Sequence, residues 1–407
     1  MNTPSSKMRV PYGFSVHGQE EIDAVVKVLQ GNTALGDKTE EFEGKIAKLF
    51  GKKHGVMVNS GSSANLLAFE LLDLPKGSEV ITPILTFATT VAPIVQKGLI
   101  PVFVDVDPAT YIINMEQVEK AINEKTRALM IPSLMGNIPN MQKLAELAKK
   151  HNLYFIEDSC DTLGGTYDGR PTGEYSHITT TSFYGSHIIN GAGGGGMILV
   201  NDDEWMKRLV VLRGWGRQSS LFGEKGTSEL LENRFKTELS GIPYDNKFIF
   251  SEIGYNFLPM EISSAFALVQ LTKLPQYSVA RKTNFASLYE FFQKNYSQYF
   301  TLSEQTPNTD TIWLAFPLII KEGAPFTRLE LVTFLENENV QTRPVFTGNI
   351  LLQPGYKKVE HRLAQETFPN AENVMKNAFV VGSHHGLSTE QIDYMKAKFT
   401  EFLDQYK

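Results

Sequence analysis

The chain has 407 residues and a mass of 45.6 kDa, a length typical of two or three domains. With 42% hydrophobic and 21% charged residues it can form a sizeable core, which excludes disordered, collagen-like and coiled-coil proteins. The net charge of -6 and the lack of a Lys/Arg block argue against nucleic acid or an anionic membrane as partner.

The first two hundred residues alternate between short β-rich runs and stretches with helical periodicity. Ile22, Val25, Val26 and Leu29 share one helix face, and Gly31 follows where a helix would end. This alternation predicts a mostly parallel sheet covered by helices on both faces, an α/β fold whose chemistry collects at the carboxyl ends of the strands. The predicted strands are Val56–Asn59, Glu79–Pro83, Pro101–Val106, Ala128–Ser133, Tyr154–Asp158, Thr179–Phe183 and Met197–Val200.

The pattern changes after Arg217. Residues 218–250 are polar and poorly periodic, which is typical of a lid, a binding loop or a poorly ordered segment. A helical pattern resumes over Met260–Leu274 and is expected to stop at Pro275. We therefore predict a large domain over residues 1–275 and a smaller domain of mixed helix and strand over residues 276–407.

A small-residue turn, Asn59-Ser60-Gly61-Ser62-Ser63, lies between the first strand and an apolar helix. The free N–H groups and positive dipole end of such a helix can bind an anion, and the hydroxyls of Ser62 and Ser63 add donors. An ordinary serine N-cap explains the same residues. The turn therefore indicates either a phosphate cradle or a simple cap.

Functional side chains also follow two other strands. Asp158 ends the strand Tyr154–Asp158, where it could pair with a protonated ring nitrogen or a metal, or merely cap the next turn. Phe87 could stack on a flat ring, although core packing explains an isolated phenylalanine better. Further on, Ser182, Tyr184 and His187 precede a glycine-rich stretch that would let the backbone approach a ligand closely. His187 could exchange a proton near neutral pH or be structural.

The single cysteine, Cys160, excludes an intrachain disulfide and an iron–sulfur cluster held by this chain's own thiolates. Residues 1–10 have no apolar core of a signal peptide, and no run approaches the ~20 apolar residues of a membrane span. We expect a soluble cytoplasmic protein without a resident metal ion.

The order of these motifs along one α/β domain is similar to that of fold type I pyridoxal phosphate (PLP) enzymes. More narrowly, the chain from about Thr33 onwards resembles the DegT/DnrJ/EryC/StrS sugar aminotransferase family. The resemblance implies a PLP or pyridoxamine phosphate (PMP) cofactor held by Gly61, Ser62, Ser63, Phe87, Asp158 and Ser182. Further supporting stretches are Phe103–Asp107, Gly254–Phe257, Gln270–Leu271 and Gly386–Leu387.

One departure from the family pattern bears on the reaction. Family aminotransferases read Ser-Phe-His-x-x-Lys, and their lysine holds the cofactor as a Schiff base, whereas this chain has His187 there. An imidazole cannot form that imine. Asp161 and Tyr184 also differ from the usual aminotransferase residues. The glycine stretch lacks the family's glutamate and has one extra residue, which leaves the geometry of that loop open.

These three residues resemble those of PMP-dependent 3-dehydratases of nucleotide-linked 4-keto-6-deoxyhexoses, in which His187 would be the acid and base with Asp161 and Tyr184 beside the reacting atoms. The resemblance implies a GDP- or CDP-linked substrate. The single cysteine favours the branch without an iron–sulfur cluster, in which L-glutamate restores the amine form of the cofactor.

The resemblance also implies a homodimer, in which Asn256 reaches the cofactor phosphate of the neighbouring subunit, and a weaker role for Arg343 at the substrate or glutamate. Two alternatives stay open: an aminotransferase that uses another lysine, and a catalytically inactive subunit that binds cofactor or sugar.

Overall fold

A computed structural model describes residues 7–222, 230–235 and 237–406. Its helices are α1 Gln19–Leu29, α2 Asp37–Leu49, α3 Gly61–Leu72, α4 Ala88–Gln96, α5 Met115–Ala121, α6 Met141–His151, α7 Asp203–Arg213, α8 Leu231–Arg234, α9 Glu261–Tyr296, α10 Arg328–Asn337, α11 Pro369–Asn377 and α12 Thr389–Leu403. Its strands are β1 His54–Val58, β2 Glu79–Pro83, β3 Ile100–Val104, β4 Thr126–Pro132, β5 Tyr154–Asp158, β6 Thr166–Tyr167, β7 Arg170–Pro171, β8 Ile178–Ser182, β9 Gly196–Val200, β10 Thr237–Leu239, β11 Ile242–Tyr244, β12 Phe300–Leu302, β13 Thr309–Asp310, β14 Phe316–Ile320, β15 Thr342–Arg343, β16 Arg362–Leu363 and β17 Ala378–Val381.

Seven strands from the first half of the chain and β16 from the C-terminal part form an eight-stranded sheet. Its order is β1-β9-β8-β5-β4-β2-β3-β16. Six neighbouring strands of this sheet, β8, β5, β4, β2, β3 and β16, run parallel to one another. Strand β9 is antiparallel to both of its neighbours, β1 and β8. Apolar side chains of α3 and α7 pack on one face of this sheet, and those of α5 and α6 pack on the other. The predicted α/β fold with a mostly parallel sheet is confirmed.

A second, antiparallel sheet with the order β12-β14-β17-β15 lies in the C-terminal part. It shares a core with the last turns of α9, with α10 and with α12. The predicted mixture of helix and strand in this part is therefore confirmed. The position of the domain boundary near residue 275 stays a prediction.

The prediction that a helix ends at Pro275 is wrong. Helix α9 continues through Pro275 to Tyr296. A proline inside a helix costs about 3 kcal/mol because it removes one hydrogen bond and crowds the preceding turn. Here, buried side chains continue the packing beyond the proline, among them Tyr277, Arg281 and Leu288. Burial of that second half outweighs the local penalty, and the sequence alone does not reveal it.

Residues 218–250, which the sequence left unassigned, contain regular elements in the part that the structure describes. The short strands β10 and β11 pair as a hairpin. Ser240 and Gly241 both have positive φ angles, 52° and 79°, which is the geometry of a tight two-residue hairpin turn. Residues 223–229 and 236 of this stretch lie outside the described residues.

Candidate active site

A cavity of about 620 Å³ opens where the parallel strands of the large sheet end. This volume is typical of small-molecule sites. Asp158 is the last residue of β5 and Ser182 the last of β8, while Phe87 follows β2. The C-terminal part closes the cavity with Leu314, Arg343, Pro344 and Phe346, and the N-terminal segment contributes Tyr12. The site therefore combines residues from both ends of the chain.

The turn after β1 forms one wall of the cavity. Ser60 caps helix α3 by accepting a hydrogen bond from the Ser63 amide at 3.1 Å. A Cβ on Gly61 would lie 2.8 Å from both Cys160 Sγ and Ser182 Cβ, so only glycine fits there. Gly61 and Ser62 line the cavity at the start of the helix, whose first N–H groups have no partner within the helix. This wall can hold an anion.

Asp158 is a buried carboxylate at the floor of the cavity. Its Oδ2 accepts hydrogen bonds from Asn65 Nδ2 and Thr90 Oγ1, both at 2.9 Å, and its Oδ1 accepts one from the Cys160 amide at 3.2 Å. These three donors fix the orientation of the carboxylate. Within the described ranges no Lys or Arg forms an ion pair with Asp158, so a cationic group of a ligand would complement it.

Asp161 also lines the cavity, and its Oδ2 accepts a hydrogen bond from the Met135 amide at 2.9 Å. Met135 has a positive φ of 58°, an uncommon conformation for a residue other than glycine. Burial, and then the nearby charge of Asp158, raise the pKa of Asp161 to about 7. Asp161 can therefore exist in either protonation state near neutral pH.

His187 lines the cavity on the turn after β8. The turn is held by a hydrogen bond from the His187 amide to the Tyr184 carbonyl at 2.9 Å, and the two rings meet edge to face at 5.8 Å. Nδ1 of His187 is buried and has no hydrogen-bond partner among the described residues. Burial lowers the pKa of His187 to about 4, so the imidazole is uncharged at neutral pH.

The glycine-rich loop after His187 packs against the turn between β1 and α3. The Gly195 amide donates to the Asn59 carbonyl at 3.1 Å, and Ser60 and Gly195 form an isolated β-bridge. A Cβ on Gly196 would lie 2.2 Å from the Ser60 carbonyl carbon. The geometry that the sequence left open is thus a close approach of two backbones, in which Gly194 and Gly195 line the cavity.

The cavity brings together most of the predicted site residues. Two of them stay outside its lining: Ser63, whose hydroxyl donates to Asn59 Oδ1 at 2.6 Å, and Asn256, which is exposed. Ser63 instead takes part in the cap of α3, because its amide donates to the hydroxyl of the capping residue Ser60. The predicted residues that line the cavity are Gly61, Ser62, Phe87, Asp158, Asp161, Ser182, Tyr184, His187 and Arg343.

Sequence reasoning missed residues that complete the site. Asn65 and Thr90 hold Asp158 but lie inside helices, where polar residues carry no distinctive signal. Phe346 meets Phe87 edge to face at 5.8 Å, and the guanidinium of Arg343 lies 5.9 Å from the centre of the Tyr12 ring. The last two contacts join segments hundreds of residues apart, and no local pattern predicts them.

These residues fit a pyridoxamine or pyridoxal phosphate. The start of α3 offers an anion site, Asp158 offers a carboxylate without a cation, and Phe87 offers an aromatic ring, half exposed, at the cavity mouth. No lysine lines the cavity in the described part of the chain. A cofactor in this cavity would therefore bind without a covalent bond to a lysine of the described lining.

A family profile described as the DegT/DnrJ/EryC1/StrS aminotransferase family matches residues 16–400. The chain belongs to this family. The predicted family membership is confirmed, and with it an enzyme fold that handles PLP. In the ranges 7–222, 230–235 and 237–406 we find neither a cluster of three metal-binding side chains nor a helix long and apolar enough to cross a membrane.

Two relatives are 38% identical over 97% of this chain. One is the lipopolysaccharide biosynthesis protein RfbH of Salmonella typhimurium, of which 91% is covered. The other is the dTDP-4-dehydro-2,6-dideoxy-D-glucose 3-dehydratase of Saccharopolyspora spinosa, of which 86% is covered. A solved GDP-4-keto-6-deoxymannose 3-dehydratase with a trapped PLP-glutamate geminal diamine is 29% identical, with a TM-score of 0.85 over 96% of this chain and 100% of that one.

The raised pKa of Asp161 predicts a pH-dependent stability of the cofactor-free protein. The pKa near 7 exceeds the value of about 3.9 in an unfolded chain, so the folded protein binds more protons between these values. Stability should therefore fall as pH rises from about 4 to 7. We expect Asp161→Asn to be more stable than the wild type in urea unfolding at pH 8, by at least ~1 kcal/mol beyond any difference at pH 5.

The exposed Asp168→Asn is the matched control for this comparison and should show no such pH-dependent difference. An equal stability difference between wild type and Asp161→Asn at both pH values would contradict the raised pKa.

Proposed function

We propose that this protein is a PMP-dependent 3-dehydratase, which removes the C3 hydroxyl of a nucleotide-linked 4-keto-6-deoxyhexose. The observation that carries the proposal is an imidazole, His187, at the position where family aminotransferases have their lysine, in a cavity whose described lining contains no lysine. The names of the 3-dehydratase relatives support the same reaction type. GDP, CDP and dTDP are the nucleotides to consider.

The residues of the cavity divide into binding and proton-moving groups. Gly61, Ser62 and Ser182 would hold the phosphate at the start of α3, and Phe87 would pack on the ring. Asp158 would keep the proton on the ring nitrogen. When bound, PMP supplies a primary amine that condenses with the C4 ketone and a ring that takes up an electron pair.

His187 is the group that moves a proton. With PMP held in the cavity, a ring nitrogen of the uncharged imidazole would act as the base that accepts a proton. The resulting imidazolium would give that proton to the C3 oxygen of the sugar, which would leave as water. Tyr184 packs against the imidazole and Asp161 lines the same cavity, so both would act beside the reacting atoms.

The electron balance of the reaction requires a reductant. Replacing C–OH by C–H is a two-electron reduction of the sugar. The single cysteine cannot hold an iron–sulfur cluster by itself. L-Glutamate meets the need, because its oxidation to 2-oxoglutarate and ammonia supplies two electrons. The solved 3-dehydratase with a PLP-glutamate adduct supports this choice. Arg343, which lines the cavity, is a candidate partner for a glutamate carboxylate.

The reaction can be tested by product balance. We expect the protein, with PMP, L-glutamate and a panel of GDP-, CDP- and dTDP-linked 4-keto-6-deoxyhexoses, to give a sugar that lacks one oxygen, together with equal amounts of 2-oxoglutarate and ammonia. His187→Asn should lower kcat about 10²- to 10⁴-fold, the usual contribution of a general base. Mass spectrometry measures the deoxygenated sugar and 2-oxoglutarate, and an ammonia assay measures the released ammonia and its rate of formation. The exposed His151→Asn serves as control.

An aminotransferase would instead place the glutamate nitrogen on the sugar and release no ammonia. An inactive subunit would give no product with any substrate of the panel. Either result would contradict the proposed dehydration.

Introducing a lysine at position 187 should allow PLP to attach covalently to the protein. We expect His187→Lys to bind PLP through a bond that borohydride makes permanent, visible in the intact mass, whereas the wild type shows no such adduct. Dehydration should be lost because an amine engaged with the cofactor cannot act as the free base. Normal dehydration by His187→Lys would show that His187 is not the base. A borohydride adduct on a lysine of the wild type would favour an aminotransferase.

We also propose that the protein is a homodimer whose sites are completed by the partner. Asn256 is exposed and does not line its own cavity. Large apolar side chains near it in sequence are exposed as well, Ile253 to 94% and Met260 to 66%. Such a surface is typical of an interface. In a C2 dimer, Asn256 would reach the cofactor phosphate of the neighbouring subunit.

Complementation tests this arrangement. Asn256→Asp should repel the phosphate in the neighbouring site, and His187→Asn disables its own site. When the two variants are co-expressed and the heterodimer is purified with two tags, one of the two sites has both native residues. We expect about half of the wild-type activity from that heterodimer. No recovery would show that Asn256 acts within its own subunit, and a monomer in light scattering would contradict the dimer.

A further inference from the structure

We propose that Arg281 is a positioning residue for His187: its buried guanidinium holds the active-site turn from behind and keeps the imidazole in its uncharged, proton-accepting form. This inference rests on the proposed function. Arg281 belongs to α9, outside the cavity lining, and no motif of the sequence pointed to it.

The contacts of Arg281 tie the active-site turn to the C-terminal part. Nη2 donates to the His187 carbonyl at 3.4 Å, and Nη1 donates to the Leu314 carbonyl at 3.1 Å. Nε donates to Nδ1 of His385 at 3.1 Å. The ring of His385 stacks on Tyr277 at 3.8 Å. The guanidinium thus connects the residue that would move the proton with two segments from the second half of the chain.

The charge of Arg281 is unusual for its surroundings. The side chain is 1% exposed, and among the described residues it forms no ion pair with a carboxylate. A buried cation without an anionic partner costs several kcal/mol of desolvation, and arginine does not escape this cost by losing its proton. The guanidinium offsets part of this cost by donating hydrogen bonds to three main-chain carbonyls and to His385 Nδ1. Because no carboxylate among the described residues neutralises the charge, it also acts on the nearby imidazoles, which points to an electrostatic role beside the structural one.

Its neighbours respond to this charge. Burial first, and then the positive charge of Arg281, lower the pKa of His384 and His385 to about 4 and about 3. For His187, burial and the same charge lower the pKa, while a hydrogen bond with the Ser182 main chain opposes them. The other titratable or charged side chains that line the cavity around His187 are Tyr12, Asp158, Cys160, Asp161, Tyr184 and Arg343.

Two substitutions separate charge from hydrogen bonding. Arg281→Gln and Arg281→Lys both keep a donor for the buried carbonyls, but only lysine keeps the positive charge. In cofactor-free protein labelled with [13Cε1]histidine, each of the 8 histidines gives one signal, and His187→Asn identifies that of His187. We expect Arg281→Gln to raise the pKa of His187 measurably, and Arg281→Lys to leave it close to the wild-type value.

The labelled protein also provides an internal control and a wild-type criterion. Burial and Lys52 lower the pKa of His177, so its titration should be the same in all variants. In the wild type, His187 should keep the signal of uncharged imidazole down to about pH 5.5. A wild-type His187 that titrates near its ordinary value of about 6.5 would overturn the proposal, whether or not the variants fold.

Activity gives an independent comparison. The acid limb of the kcat profile should move to higher pH in Arg281→Gln and stay in place in Arg281→Lys. If both variants lose activity equally without moving that limb or the His187 signal, Arg281 is only structural. Because the titration uses cofactor-free protein, it succeeds or fails independently of the proposed dehydration.

Discussion

A buried carboxylate at the meeting point of the parallel strands sets the geometry of the whole site. Asp158 is held there by hydrogen bonds from Asn65 and Thr90, which reach it from α3 and α4. These two helices start at the same edge of the sheet at which β5 ends, so the donors and the start of α3 surround one cavity. An anion site and a fixed carboxylate in the same cavity are what a phosphorylated, cationic heterocycle requires.

Chemistry in this cavity then depends on which side chain stands at position 187. A lysine would bind an aldehyde cofactor covalently and favour the transfer of an amino group. An imidazole leaves the cofactor unattached and can both accept and donate a proton. Under the proposed function, the same scaffold would eliminate a hydroxyl instead of exchanging an amine, and the difference would lie in the side chain at position 187 rather than in the fold.

Charges around the cavity are distributed so that acid and base stay distinct. Burial first, and then the charge of Asp158, raise the pKa of Asp161 towards neutrality. Burial lowers the pKa of His187, and the positive charge of Arg281 acts in the same direction. Burial therefore shifts the pKa of the carboxyl and of the imidazole in opposite directions, an arrangement that is typical of catalytic sites.

The sequence by itself determined the α/β fold, because strand periodicity is a local property of the chain. The resemblance of its motifs to a known family pointed to nine residues that line the cavity, and their roles stay predictions. The sequence did not determine that α9 passes through Pro275, since the burial that outweighs the proline penalty comes from distant segments. It could not assign Asn65, Thr90, Tyr12 or Phe346 to the site. Only the tertiary structure decided which side chains face Asp158, because hydrogen bonds between remote segments exist only once the sheet and its helices have packed.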